Sequence, residues 1–215
     1  MTNFVSDEVR KYANKIIDCF VGAGLLEHRR GYDEFSFSKW YKDKNLNNYG
    51  FECSFGVSKI CLFHPQLENF VIKFGFSDIS SKTDYCMIEY KNYLCAKENG
   101  FEEYFPYTDL LCEYEGVAFL IQEKAICSED EITSGWYHTM REVMEADYDE
   151  DDDDFNSRIW DAVYDMDDIQ RADFTFDNSA FTDFLINNGI GDLHEGNFGY
   201  IGNRTVIIDF SGWRG

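Results

Sequence analysis

The hydrophobic positions near the start of the chain recur at helical spacing. Residues 6–22 hold apolar side chains three or four positions apart: Val9, Ala13, Ile16, Ile17 and Phe20. Gly22 and Gly24 follow, and glycine commonly ends a helix. The pattern predicts an opening helix over 6–22. Residues 28–48 are polar and irregular, and they predict no regular element.

Short apolar runs rich in Phe, Val and Ile begin at about residue 49. The runs YGFECSF, KICLFH and NFVIKFG are separated by GVS and PQLE, and they predict three successive antiparallel strands. A helical pattern follows over 84–98, with Ile88, Tyr93 and Leu94 as its expected inward face. Two later runs, DLLCEY and VAFLIQE, meet at a Glu-Gly dipeptide that predicts a hairpin.

Strand patterns stop in the middle of the chain, and helical patterns take over. We predict helices over 129–146, 157–171 and 179–188. The acidic run DYDEDDDD is predicted to be a solvated loop or a frayed helix end, because like charges repel along it. FGYI and TVIIDF then predict a short hairpin. The boundary between the β-rich and helical halves is expected near 124–128.

The composition fits a folded cytoplasmic protein of bacterial or phage origin. The 215 residues are 44% hydrophobic and 18% aromatic, with only 2 prolines. No apolar stretch approaches the ~20 residues that span a membrane, and the N-terminal sequence lacks a signal-peptide layout. The seven cysteines form no CxxC pair. We therefore expect reduced thiols rather than a disulfide scaffold or a zinc finger.

The net charge of −22 is the strongest compositional anomaly. Such a chain repels the phosphate backbone of nucleic acids, so we expect no direct nucleic-acid binding. The acidic surface has two interpretations. It keeps the protein in solution, or it faces a basic protein partner, for instance by imitating a nucleic acid.

Three polar residues near the C-terminus carry candidate chemistry. Asp192 follows a predicted helix, and Asn197 and Asp209 lie at the two ends of the predicted hairpin, which brings its ends together. Amide and carboxylate oxygens are hard ligands that suit Mg²⁺, and Asp192 is placed to orient or deprotonate a hydroxyl group. The alternatives are a turn-capping aspartate and a transition-metal site at Asp192, His194 and Glu195.

The β-rich half holds residues that would complete a site for phosphoryl transfer, which needs cations on the phosphates besides the metal. Lys73 lies in the third predicted strand, where it is either an exposed strand lysine or a cation facing a polar cleft. Glu89 falls in the following helix and is placed to form an ion pair with Lys73. Gly56 lies in the turn between the first two strands, where a glycine lets backbone amides approach phosphate.

Five features of the sequence, in this order, resemble the protein-kinase-like superfold. They are Lys73 in VIK, Glu89 on the next helix, the hairpin leading into IQEKA, the segment DLHEGN and the segment IIDFSG. The resemblance covers roughly residues 49–212. It is closest to the aminoglycoside-phosphotransferase and small-molecule kinase branch and to short kinase-like proteins of bacteria and phages. It implies an α+β, two-lobed fold. A helical extension (1–48) would precede an antiparallel β-sheet lobe with one helix (49–125) and a truncated, mainly helical C-terminal lobe (126–215).

The resemblance also implies a role for each site residue. Lys73, held by Glu89, would contact the α- and β-phosphates of ATP, and Asp192 would be the catalytic aspartate. Asn197 and Asp209 would hold Mg²⁺. The remaining implied contacts are the backbone of Glu123–Ala125 on the adenine edge, Ile121 at the back of the adenine pocket, and Gly56 and Ser58 over the phosphates.

Three departures from the family pattern bear on function. Ile190 replaces the histidine that usually precedes the catalytic aspartate, and Gly56 is the one clear glycine of the phosphate loop. The sequence ends six residues after Asp209, so we expect no activation segment and no typical peptide-docking surface.

The sequence therefore favours an ATP- and Mg²⁺-dependent phosphotransferase that moves the γ-phosphoryl group to a hydroxyl of a protein or small molecule. For a phage protein the compartment would be the host cytoplasm. The alternative is a catalytically inactive nucleotide-binding or acidic inhibitory module that engages a basic partner.

Overall fold

The first helix begins where its sequence provides a cap. Helix α1 runs over Asp7–Gly22, and Ser6 Oγ accepts a hydrogen bond from the Val9 N–H at 3.2 Å. Its buried face consists of the five apolar residues of the sequence pattern, so the prediction of an opening helix is confirmed. The structure, a computed structural model, describes residues 4–28, 34–55, 59–75, 84–126, 179–190 and 197–211.

The segment 28–48 is largely helical where it is described, so the prediction that it is irregular is wrong. Helix α2 over Leu25–His28 ends at the first residue of this segment, which then contains α3 over Glu34–Asp43 and most of a 3₁₀ turn over Leu46–Tyr49. Phe37 and Tyr41 lie one helical turn apart and are buried, as is Trp40. Polar residues surround these aromatic residues in the sequence, and they obscure the helical spacing.

In the described part of the chain, five strands form an antiparallel sheet in the order β1-β2-β3-β5-β4. They are β1 Glu52–Phe55, β2 Lys59–Phe63, β3 Phe70–Gly75, β4 Thr108–Tyr114 and β5 Val117–Glu123. The β4–β5 turn is formed by Glu115 and Gly116, both with positive φ (48° and 78°), as the type I′ turn of a two-residue hairpin requires. The five predicted strands and the α+β class are confirmed.

The two faces of this sheet pack against different helices. Successive residues of a strand point to opposite faces. Phe74 points to the side of α1 and α3, where its ring centroid lies 6.4 Å from that of Phe20 and 6.3 Å from that of Phe37. Lys73 points to the other side, where it contacts helix α4. The N-terminal helices therefore cover one face, and α4 covers the other.

Helix α4 runs over Tyr85–Asn99, as predicted, but its inward face is different. Tyr93 is buried, whereas Ile88 is only half-buried and Leu94 is 40% exposed. The buried positions are Cys86, Glu89, Asn92, Tyr93 and Ala96. The inward stripe thus contains a glutamate and an asparagine, which a pattern of apolar residues does not identify.

The described residues divide into two compact units: one within 1–91 and 107–124, the other within 92–106 and 125–215. The second unit includes the end of α4 and a 3₁₀ turn over Glu102–Tyr104. It also includes α5 over Ser179–Asn187 and the hairpin strands β6 (Phe198–Ile201) and β7 (Arg204–Ile207). The predicted helix over 179–188 and the C-terminal hairpin are confirmed.

Aromatic rings form the core of the second unit. The ring centroids of Phe105 and Phe210 lie 4.7 Å apart, and those of Tyr104 and Phe181 lie 4.2 Å apart. Arg204 of β7 donates to the Phe105 carbonyl at 3.1 Å, which attaches the hairpin to this core. The unit is therefore held together by aromatic packing and by hydrogen bonds to the hairpin.

Some predicted elements lie outside the described residues, namely the helices over 129–146 and 157–171 and the acidic run between them. Within the described ranges, no helix is long and apolar enough to cross a membrane.

The six cysteines in the described residues are free thiols, in line with the expectation from their scattered positions. Burial raises the pKa of the Cys53 thiol from 9.0 to about 12. Burial, reinforced by the Glu89 carboxylate, also raises the pKa of Cys86. Both thiols are therefore neutral at physiological pH, and neutral thiols are poor nucleophiles.

We expect the free energy of unfolding to fall as the pH rises from 9.0 towards about 12. In this range the Cys53 thiol ionises in the unfolded chain but keeps its proton in the folded one. The unfolded state then binds fewer protons, so the stability falls by up to about 1.4 kcal/mol per pH unit for this group and is constant below the range. Urea unfolding at a series of pH values should show a shallower alkaline decline for Cys53→Ala than for wild type. Parallel curves would contradict the expectation.

Candidate functional site

Lys73 and Glu89 form a buried ion pair in the first unit. Lys73 Nζ lies 2.7 Å from Glu89 Oε1. Lys73 is 5% exposed and Glu89 is fully buried, so the interpretation of Lys73 as an exposed strand lysine is wrong. The structure thus brings together two site residues that lie sixteen positions apart in the sequence.

The same carboxylate binds further side chains that the sequence analysis did not identify. Lys59, the first residue of β2, places its Nζ 2.6 Å from Glu89 Oε2 and is 4% exposed. Gln122 of β5 donates through Nε2 to Glu89 Oε1 at 2.7 Å and to Thr108 Oγ1 at 2.9 Å. These side chains form the Glu89 cluster, which consists of Lys59, Lys73, Glu89, Thr108 and Gln122.

The register of the sheet explains why the two lysines meet. Lys73 of β3 pairs with Cys61 of β2, and Lys59 is two residues before Cys61. Residues two positions apart on a strand share a face, and diagonal neighbours on adjacent strands lie within reach of long side chains. Lys59 and Lys73 therefore both point towards α4.

Asp84 sets the start of the helix that carries Glu89. Its Oδ1 accepts hydrogen bonds from the N–H groups of Cys86 and Met87 at 2.9 and 3.2 Å, and its Oδ2 accepts one from Ala118 of β5 at 2.7 Å. One carboxylate thus caps α4 and attaches it to the sheet. An aspartate directly before a helical pattern is the signal by which Asp84 could have been found.

The structure does not bring Ile121 to the Glu89 cluster. Ile121 of β5 pairs with Ile72, and both side chains belong to the core that includes α1 and α3. Gln122, the next residue, points to the opposite face. Gln122 is therefore the β5 residue whose side chain contacts Glu89, and Leu120, which pairs with Lys73, shares its face.

The predicted adenine-binding segment, Glu123–Ala125, directly follows this part of β5. The Glu123 N–H donates to the Tyr107 carbonyl at 2.8 Å, and the Lys124 N–H donates to the Asn69 carbonyl at 2.7 Å. Two of the three backbone donors of this segment are therefore already engaged.

Ala125 belongs to the second unit, where the chain lies against β6. Ile126 and Tyr200 exchange two backbone hydrogen bonds of 2.8 Å. A Cβ atom on Gly199 would lie only 3.0 Å from the Cβ of Ala125 and 3.0 Å from the carbonyl oxygen of Ile126. Gly199 therefore permits the close approach of this segment to the hairpin.

The hairpin places Asn197 and Asp209 at the same end. Phe198 pairs with Ile207, and the Ile208 N–H donates to the Asn197 carbonyl at 2.8 Å. Asp209 is the next residue along the chain. Asn197 is buried and Asp209 is half-buried.

Hydrogen bonds hold the Asp209 side chain and the residue that follows it. Ser211 Oγ donates to Asp209 Oδ1 at 3.1 Å. Asn92 Nδ2 donates to the Phe210 carbonyl at 2.7 Å, and the Phe210 ring is fully buried. Asn92 was not identified from the sequence, because its partner lies 118 residues away.

An amide oxygen and a carboxylate at one end of the hairpin have the hard-oxygen chemistry that Mg²⁺ prefers. Among the residues that the structure describes, no three or more His, Cys, Asp or Glu side chains form a group that could hold a metal ion. The other predicted site residues lie outside the described ranges: Gly56, Ser58 and Asp192, together with His194 and Glu195 of the alternative metal site.

Comparisons of the chain with protein-family models, with curated proteins and with solved structures found no match. The functional interpretation therefore rests on the residues and their geometry.

Proposed function

We propose that the protein is an ATP- and Mg²⁺-dependent phosphotransferase with a two-lobed, protein-kinase-like fold. It moves the γ-phosphoryl group to a hydroxyl group of a protein or small-molecule acceptor. The observation that supports this most strongly is the buried ion pair between Lys73 on β3 and Glu89 on α4, with 2.7 Å between Nζ and Oε1. Such a pair holds an ammonium group in one orientation, as contact with phosphates during transfer requires.

The burial of this pair favours a role in binding. Moving an ion from water into a protein interior costs several kcal/mol, and well-packed apolar residues often replace a buried ion pair without loss of stability. Strongly buried charged groups are accordingly frequent at sites that bind or transform charged molecules. Lys73, between apolar neighbours on a central strand, fits this class.

Each site residue has a defined role in the proposed reaction. Lys73 binds the α- and β-phosphates, and Glu89 orients its ammonium group. Asn197 and Asp209 hold Mg²⁺, which when bound supplies positive charge to the phosphate oxygens. Asp192 orients the acceptor hydroxyl and takes up its proton as the new O–P bond forms and the bond to the leaving diphosphate breaks.

We assign the binding of the adenine end of the nucleotide to the segment after β5. The backbone of Glu123–Ala125, apart from the two N–H groups that are already engaged, binds the adenine edge. Gly56 and Ser58 contact the phosphates. Because Ile121 belongs to the core on the other face of the sheet, we assign the back of the nucleotide pocket to Gln122, which contacts Glu89 directly.

The net charge of −22 supports a second candidate function. A surface of this kind attracts basic proteins and repels nucleic acids. A nucleotide-binding module without catalysis, which uses its acidic surface to engage a basic partner, would retain the Lys73–Glu89 pair but transfer no phosphoryl group.

Phosphoryl transfer is tested directly with γ-labelled ATP and Mg²⁺, with and without cell lysate as a source of acceptors. We expect labelling by wild type and a loss of about 100-fold or more in Lys73→Met, Asp192→Ala and Asp209→Ala, because each variant removes a charge needed in the transition state. Asp183→Ala, at an exposed position of α5, is the matched control and should label like wild type.

Thermal unfolding with ATP separates the two candidate functions. If ATP raises the melting temperature but wild type labels no better than Asp192→Ala, the nucleotide-binding module is supported and the phosphotransferase is contradicted. A melting temperature that no nucleotide changes would contradict both.

A further inference from the structure

We infer that a cavity beside Phe63 binds an arginine side chain of a basic protein partner. This Phe63 cavity has a volume of about 190 Å³ and lies within the first unit, where β1, β2, β3, the turns next to them and Lys124 line it. None of the described residues that line it belongs to the Glu89 cluster. Because a basic partner is required, the site rests on the second candidate function rather than on phosphoryl transfer.

The aromatic wall of the Phe63 cavity already holds a cation. Lys124 Nζ lies 5.2 Å from the centroid of the Phe63 ring, within the ~6 Å at which a cation is attracted to an aromatic face. Lys124 is exposed, and it forms no ion pair with any described residue. The ring face therefore accepts a cation, and the long lysine side chain can move into water when a stronger ligand arrives.

Two carboxylates line the same cavity. Glu52 of β1 pairs with Phe63 of β2, and the side chains of directly opposite residues share a face, with Cβ atoms ~4.5–5.5 Å apart. Glu68, at the end of the turn before β3, contributes the second carboxylate. Both glutamates are exposed, and neither forms an ion pair with a described residue. The planar guanidinium group of arginine stacks on a ring while it binds carboxylates, a combination that lysine lacks.

The backbone at Glu68 favours a role for its side chain. Glu68 has φ 52° and ψ −104°, in the region that favours glycine. Strain of this kind in other residues is found mainly at functional sites, where the surrounding structure maintains it. Here the Glu68 N–H donates to the Pro65 carbonyl at 3.2 Å, and Leu67 is fully buried. The chain thus places a carboxylate at the cavity where a glycine would be less strained.

The size and surroundings of the Phe63 cavity suit one side chain of a protein. Its volume of about 190 Å³ lies below the ~300–1,000 Å³ usual for small-molecule sites. His64 forms a fixed wall, because its Nδ1 accepts from the Gln66 N–H and its Nε2 donates to the Tyr49 carbonyl, both at 3.2 Å. Tyr49, which precedes the lining residue Gly50, is 66% exposed, and aromatic residues are enriched at protein interfaces. The net charge of −22 attracts basic proteins.

The test is an NMR titration of the ¹⁵N-labelled full chain with the peptide Gly-Lys-Gly-Arg-Gly-Lys-Gly, at constant salt. We expect the largest amide shifts at the residues that line the cavity. Glu52→Gln and Glu68→Gln should each weaken the peptide by about threefold to tenfold, the loss of a charge-assisted contact. Glu98→Gln, at an exposed position of α4, removes the same charge elsewhere and should stay within about twofold of wild type.

Lys124 provides a second test with the opposite sign. Lys124→Met removes the cation that occupies the Phe63 ring, so the peptide should bind about threefold to fivefold tighter. Lys91→Met, at an exposed position of α4, makes the same change in net charge and should stay within about twofold of wild type. A peptide with lysine in place of the arginine should bind wild type about threefold more weakly, because it loses the stacked guanidinium group.

Several results would overturn the site. If Glu52→Gln and Glu68→Gln bind like Glu98→Gln, or Lys124→Met binds like Lys91→Met, the peptide binds elsewhere on the acidic surface, and only the second candidate function stands. Equal affinity for the two peptides overturns the preference for arginine, and free arginine that binds as tightly as the peptide overturns a protein partner. Wild type that binds neither peptide contradicts both the site and the basic partner. The labelling assay tests phosphoryl transfer separately, and circular dichroism checks that the variants fold.

Discussion

Replacing Glu89 with alanine is expected to lower the free energy of unfolding by about 3–5 kcal/mol, the cost of removing one partner from a buried set of charges. The carboxylate is fully buried and accepts hydrogen bonds from Lys59, Lys73 and Gln122. Without it, two buried ammonium groups lose a shared counter-ion. Urea unfolding followed by far-UV circular dichroism measures the change.

Two further variants show whether charge causes the loss. Glu98→Ala, at an exposed position of the same helix, should change the stability by no more than about 0.5 kcal/mol. The triple variant Lys59→Met, Lys73→Met, Glu89→Leu removes the charges together and should regain most of the loss, because apolar residues replace a buried ion pair at little cost. If Glu89→Ala and Glu98→Ala have the same free energy of unfolding, Glu89 does not stabilise the cluster.

Replacing Phe37 with alanine should destabilise the first unit by about 3–5 kcal/mol, the usual cost of deleting a buried phenylalanine. Phe37 of α3 is almost fully buried, and its ring centroid lies 5.4 Å from Trp40, 6.3 Å from Tyr41 and 6.3 Å from Phe74. The truncation leaves a cavity between α3 and the sheet. Urea unfolding again provides the measurement.

The matched control for Phe37→Ala lies two residues away on the same helix. Lys39 is exposed, so Lys39→Ala should leave the stability within about 0.5 kcal/mol of wild type. A loss below about 1 kcal/mol for Phe37→Ala would mean that α3 is not part of the core. Helix α3 would then contribute little to the stability of the sheet.

Local sequence patterns predict some residues of the candidate site and miss others. Lys73 and Glu89 were predicted as a pair because a lysine within an apolar strand and a glutamate on the next helix are each visible in the sequence. Lys59 was not predicted, because it stands at the start of a predicted strand, where a lysine is usually exposed. Its burial against Glu89 depends on the pairing of β2 with β3.

Ile121 and Gln122 show the same limit on a single strand. Because side chains alternate along a strand, these neighbours must point to opposite faces of the sheet. The alternation does not indicate which of the two faces packs against α4. That choice follows from the register of β5 against β3, where Ile121 pairs with Ile72 and so joins the core with α1 and α3. A shift of one residue would exchange the two side chains.

The sequence by itself determined the elements with a regular period: helix α1, the five strands of the sheet, α4, α5 and the C-terminal hairpin. Period and turn residues are local properties, so they can be recognised without knowing which segments meet. The tertiary structure alone decided that α3 joins the core and that Leu94 faces outwards. It also decided that one glutamate holds two lysines. The reason is physical: burial, register and charge pairing depend on contacts between distant parts of the chain, and these form only when the chain has folded.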